Sequence, residues 1–209
     1  MISKIEQIKL QNTEAIVEKF SQLDVVNYDT VSNLIPQLLT EGLLTLDPSV
    51  YTPADSTTKE SNGIGRHLIY DHKDKSNPFS IWIFSFATRQ RTSIHDHQYE
   101  GTVTVLKEPI TEKYFQPSGD HYARHISSLD RNRFHTNKDD LKDNFVHQLK
   151  RRKDLGIGIS TTLHIYKMEA HKISENGELT DRRNFFKIYT KDKRPQDDQE
   201  KNPDVTLCP

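Results

Sequence analysis

The chain carries ten histidines, and two of them stand one residue apart in His95-Asp96-His97. On an extended strand, side chains at i and i+2 project to one face and the residue between them to the other. His95 and His97 then offer two imidazoles side by side, with Asp96 turned away. Neutral imidazole suits zinc, copper, iron and nickel, so the pair is a candidate for metal binding. The same spacing also occurs on plain exposed strands. Placement favours the metal reading, because the pair lies between the apolar run Ile81–Phe86 and the alternating segment Thr102–Leu106.

A second period-two pattern is Thr161-Thr162-Leu163-His164-Ile165-Tyr166. Thr162, His164 and Tyr166 share one face; Leu163 and Ile165 share the other. The polar face is either the solvent side of an edge strand or a hydrogen-bonded row lining a cavity, and both readings stay open. His72, His121, His125, His135 and His171 sit in polar, turn-like surroundings and read as surface residues.

Around these residues the first third of the chain reads as helix. Thr13 can cap a helix over Glu14–Leu23, with Ile16, Val17 and Phe20 at helical spacing. A second helix follows Asp29, with Val31, Leu34, Ile35, Leu38 and Leu39 on one stripe. Pro36 predicts a kink or a late start, and Gly42 an end. Residues 47–63 read as a connecting loop, with two prolines and a Ser-Thr-Thr cluster. Beyond Gly65 the period changes to two. Strands are expected at Arg66–Tyr70, Phe79–Phe86, Ser93–His97, Thr102–Leu106, Ile110–Phe115, His121–Ser127, Asn144–Gln148, Thr161–Lys167 and Asn184–Tyr189. Many short strands separated by turn residues, such as Glu175-Asn176-Gly177, predict a sandwich or barrel. The resulting division is a helical segment at 1–46, a loop at 47–63, a barrel at 64–190 and a charged tail at 191–209.

Composition limits the function. Ile, Leu, Val and Phe number 17, 17, 9 and 9, so 52 of 209 residues, enough for a packed core. With 29 basic and 30 acidic residues, no overall field attracts nucleic acid or anionic lipid. The basic run Lys150-Arg151-Arg152-Lys153 reads as a solvated turn. The single cysteine, Cys208, is the next-to-last residue given and precludes a disulfide framework within the chain, which suits a reducing compartment. A cytoplasmic monomer is expected, with no membrane partner.

Three blocks resemble the cysteine dioxygenase family of cupins, closest to its bacterial branch. They are Gly65-Arg66-His67-Leu68-Ile69-Tyr70, Gln90-Arg91-Thr92-Ser93-Ile94-His95-Asp96-His97 and Thr162-Leu163-His164-Ile165-Tyr166. The resemblance implies a mainly β fold, a single cupin (double-stranded β-helix, or jelly-roll) barrel with N-terminal α-helices. It implies Fe(II) as cofactor, with His95 and His97 as two ligands. His147, in Phe145-Val146-His147-Gln148-Leu149, matches the third, with an insertion within Lys150–Gly156; His135 is its competitor. Arg66 matches the residue that holds the substrate carboxylate, Tyr166 the active-site tyrosine, and His164 its hydrogen-bonding partner. Thr162 stands where the family usually has serine.

The implied activity is oxidation of L-cysteine with O2 to cysteine sulfinic acid. The alternatives are a dioxygenase for another small thiol acid such as 3-mercaptopropionate, or a cupin that binds metal or ligand without turnover. Two positions depart from the family. Gly101 replaces the cysteine that vertebrate members cross-link to the tyrosine. Glu100, three residues after His97, is a rival metal ligand.

Overall fold

The computed structural model describes residues 2–54, 63–97, 99–139, 146–152, 154, 158–175, 178–179 and 184–189. The expected tail at 191–209 and Cys208 lie outside the described residues, as do 55–62 of the loop and 153 and 155–156 of the expected insertion.

Helix α1 spans Lys4–Phe20. It begins nine residues before the expected Thr13 cap, because Ser3 and Glu6 form a reciprocal capping box that satisfies the first amides. Thr13 instead bonds back to the Lys9 carbonyl. Only one stripe of α1 is buried, Asn12, Ile16 and Phe20. Helix α2 spans Tyr28–Glu41, capped by Asn27 and ended by Gly42 at φ 73°. Pro36 sits inside α2 and delays nothing. The following turn is not a bare connector: Pro48–Val50 is a 3-10 turn, and Tyr51 is buried with its hydroxyl accepting from Asn12.

The strands are β1 (Gly65–Asp71), β2 (Ser80–Phe86), β3 (Ile94–His95), β4 (Gly101–Lys107), β5 (Ile110–Pro117), β6 (Tyr122–Arg131), β7 (Thr136–Asp139), β8 (Val146–Lys150), β9 (Ser160–Tyr166), β10 (Ser174–Glu175), β11 (Glu178–Leu179) and β12 (Phe185–Ile188). Strands β7, β10 and β11 were not expected; β7 is all polar and is held to β4 through backbone pairing. Strand β3 is shorter than Ser93–His97, because beyond His95 the backbone and side chain of Asp96 bond to Asn184. One sheet has the order β1-β2-β9-β4-β7, and β12-β3-β8-β5-β6 close into a ring. The architecture is the expected one, mainly β, with a closed ring of strands beside a five-stranded sheet that carries two N-terminal helices.

Three apolar clusters result. Ile16, Phe20, Val31, Ile35 and Leu39 pack on Ile81, Ile83, Leu163 and Ile165, on the helix side of the first sheet. Between the sheets lie Trp82, Phe84, Phe86, Val105, Ile110, Leu149 and Tyr166. Ile94, Phe115, Ala123 and Val146, with Phe186 against them, form the third.

One reading is overturned outright. Arg151, expected in a solvated turn, is fully buried. Its Nη1 donates to the Pro109 carbonyl at 2.9 Å, and its backbone is bonded to Arg89 and Gln90. Those bonds and the packing around them enclose the side chain, which has no route to water. Its neighbour Arg152 does stay at the surface, paired with Asp130 and Asp154.

Candidate metal centre

Antiparallel pairing of β3 with β8 sets His95 directly opposite His147, fifty-two positions away in the chain. His97, just beyond β3, completes a buried cluster of three. The Nε2 atoms of His95 and His97 are 3.1 Å apart, and those of His97 and His147 are 3.0 Å apart.

The Nδ1 side explains which atoms face inward. Nδ1 of His95 lies 2.8 Å from the Ser93 carbonyl, which can only accept. Nδ1 of His147 lies 2.8 Å from a Glu112 carboxylate oxygen. Both rings therefore carry their proton on Nδ1 and turn an Nε2 lone pair inward. Both lone pairs meet His97 Nε2, which can carry at most one proton, so at least one of the two contacts has no hydrogen in it and is repulsive unless a cation is shared. Two imidazoles bound about 2.1 Å from one ion at a right angle would have nitrogens about 3.0 Å apart. The donor set fits a metal ion on both counts.

Glu112 is the functional residue the sequence reading missed. It is buried on β5 and accepts from His147, from Arg131 Nε at 2.8 Å, from Asn137 Nδ2 at 2.8 Å and from the Tyr114 hydroxyl at 2.9 Å. Arg131 also donates to the Tyr114 hydroxyl. Burial alone would raise the Glu112 carboxyl, but His147, Arg131 and Tyr114 outweigh it and hold it down to about 2. The one available signal was the alternation Ile110, Glu112, Tyr114 on one face. A carboxylate between two core-facing residues needs buried partners.

The polar row on β9 is not on an edge. Strand β9 is central, between β2 and β4, and all seven of its residues are buried. The row is hydrogen-bonded: Thr162 Oγ1 lies 2.7 Å from His164 Nε2, and His164 Nδ1 lies 2.8 Å from the Tyr166 hydroxyl. The His164 ring stacks on Phe84 at 4.1 Å, and the Arg66 guanidinium stands over the same Phe84 ring, 5.7 Å from its centroid. Register explains this, since Arg66 pairs with Phe84 and Phe84 with Thr162. Tyr166 reaches the histidine cluster, its ring 5.8 Å from that of His97.

Gly101 lies opposite Tyr166 on β4. A Cβ there would fall 2.7 Å from Tyr166 Cδ1, closer than real Cβ contacts come. The missing side chain thus leaves room for the tyrosine ring. Glu100 is not in the cluster; it pairs with Lys167 at 3.1 Å. His135 is bonded to Arg131, away from the three imidazoles. Of the residues read as surface histidines, His72 is the exception in part, stacked on Phe79 at 4.6 Å.

No family model matches the chain, and no curated protein matches it. Solved structures do. An oxalate oxidase in complex with the substrate analogue glycolate matches at TM-score 0.40 and 14% identity, over 60% of this chain and 59% of that one. A cupin superfamily protein from Desulfitobacterium hafniense matches at TM-score 0.39 and 14% identity, over 60% of this chain and 92% of that one. A sugar phosphate isomerase from a cupin superfamily, from Silicibacter pomeroyi, matches at TM-score 0.40 and 13% identity, over 58% and 74%. Among the described residues, no helix is long and apolar enough to cross a membrane.

Proposed function

We propose that the protein is an iron(II)-dependent thiol dioxygenase that converts L-cysteine and O2 to cysteine sulfinic acid. The observation that carries this reading is the meeting of two groups inside one barrel. Three convergent imidazoles stand beside a tyrosine that is itself bonded to a buried histidine. His95, His97 and His147 would hold the metal through Nε2. Bound ferrous iron would supply open coordination positions and the redox couple through which both atoms of O2 pass to sulfur. The thiol sulfur itself gives up the four electrons, so no external reductant enters.

The chain's own residues prepare the substrate. Three neutral imidazoles leave a divalent ion uncompensated, which favours a thiolate. The Glu112 charge does not change this, because Arg131 cancels it at 2.8 Å. Arg66 presents a planar fork suited to the substrate carboxylate. Thr162 and His164 set the tyrosine's proton. When the Thr162 hydroxyl donates to Nε2, the proton of His164 sits on Nδ1 and donates to the Tyr166 oxygen. The Tyr166 O–H is then turned toward the cluster and can donate to substrate or dioxygen. Phe84, Trp82 and Val105 keep this face dry, which strengthens each of these bonds.

Oxygen uptake by anaerobically iron-loaded protein tests the reading. L-cysteine, 3-mercaptopropionate and cysteamine are offered separately, and sulfinate is measured. Uptake with cysteine, matched one-to-one by sulfinate and lost in His147→Ala, is expected. Faster uptake with 3-mercaptopropionate would reassign the substrate. No uptake with any thiol, despite bound iron, would leave a cupin that binds metal without turnover.

A further inference from the structure

On the face of β8 opposite His147, Gln148 and the segment leading into β3 line a groove of about 590 Å³. That volume falls in the range of about 300–1,000 Å³ typical of small-molecule sites. Its lining is sorted by chemistry. Arg89 and Arg91 stand at the surface; Thr92 and Gln148 are buried polar residues; Phe186 and Ile188 supply an apolar side. Among the described residues, neither arginine has an ion pair, and no acidic side chain lines the groove.

The walls are fixed in place. Gln148 Nε2 donates to the Thr92 carbonyl at 2.9 Å, and Thr92 Oγ1 accepts from the Leu149 amide at 3.0 Å. The Arg89 amide donates to the carbonyl of buried Arg151 at 2.9 Å, and Gln90 is tied to Ala87 and Gly63. Arg89 is held at φ 74°, a left-handed conformation that costs a non-glycine residue free energy. Positive charge also accumulates beside the groove. Burial, then Lys150, Arg91 and Arg152, push the Lys113 ammonium below its ordinary value. These cations repel one another, and an anion among them would relieve that repulsion.

We propose that this groove is a second binding site, separate from the histidine cluster, for a small organic anion. Its carboxylate or phosphate head is held by Arg89 and Arg91, and its apolar body lies against Phe186 and Ile188. The site requires neither bound metal nor turnover, so it stands or falls independently of the dioxygenase reading.

Calorimetric titration of the full chain with phenyl phosphate, benzoate and inorganic phosphate tests it. Phenyl phosphate or benzoate should bind one-to-one, with the stronger of the two naming the head group. Inorganic phosphate, lacking the body, should bind at least about tenfold more weakly. Arg91→Gln should weaken binding by at least about tenfold. Arg89→Gly should do the same while keeping or raising the melting temperature, since glycine relaxes the strained turn; that separates lost contact from lost fold. Binding should persist in His147→Ala. Absence of binding at millimolar concentration, affinity unchanged from that of the unsubstituted protein in both arginine variants, or loss in His147→Ala would each overturn the proposal.

Discussion

The two faces of β9 are both buried, yet they are built to different ends. Leu163 and Ile165 point to the helices and pack in an apolar cluster with Ile81, Ile83 and Val31. Thr162, His164 and Tyr166 point into the barrel and spend their polar atoms on one another. The apolar face gains stability from area removed from water, in proportion to contact. The polar face gains little net stability, because its hydrogen bonds replace bonds to water. What it gains is fixed orientation. Substitutions on the two faces should therefore separate stability from chemistry.

The largest separation is expected at Tyr166. Tyr166→Phe deletes the hydroxyl bonded to His164 and should lower turnover about 100-fold with a small change in melting temperature. Steady-state oxygen uptake and calorimetry on the same sample check it; a large loss of stability would mean that the polar face is structural after all. Leu163→Ala is the mirror case. It should cost about 2–5 kcal/mol in denaturant unfolding while iron affinity is unchanged.

Behind the metal centre, Glu112→Gln keeps the shape but removes the charge that fixes the His147 tautomer. Iron or cobalt affinity, measured by competition with a chelator, should fall about 10–100-fold. Gly101→Ala places a methyl group into the Tyr166 ring, so the tyrosine must shift. Its turnover should drop by more than its metal affinity, which distinguishes a displaced tyrosine from a damaged cluster.

The smallest effect is a pH slope at His67, on the edge strand β1. Burial lowers its pKa below the ordinary value, while the bond of Nε2 to the Thr52 carbonyl partly offsets this. The unfolded chain then binds the extra proton first. Stability should be full above the unfolded value near 6.5 and should decline as pH falls below it. His67→Gln should flatten that part of the melting-temperature profile.

Much of the fold was legible because local rules agreed with the tertiary ones. The stripe Val31, Ile35, Leu38, Leu39 and the stop at Gly42 gave α2, and the run Ile81–Phe86, apolar except for Ser85, gave a strand buried on both faces. The start of α1 failed because the Thr13 cap was read in place of the Ser3–Glu6 box, in a segment whose exposed Ile5 and Leu10 blur the periodicity. Strand β7 failed because its residues are polar, and what holds it, the β4 backbone and the bonds of Asn137 to Glu112 and Tyr114, comes from distant segments.

At the site, period-two spacing by itself set His95 beside His97, and Thr162, His164 and Tyr166 in one row, because alternation along a strand is a local property. The resemblance pointed to His147, but proximity of that residue to His95 exists only through β3–β8 pairing. The same holds for Glu112 beneath His147, for the enclosure of Arg151 and for the space that Gly101 leaves to Tyr166. Each depends on which backbone segments lie adjacent, and adjacency between distant strands is decided by the packing of the whole chain.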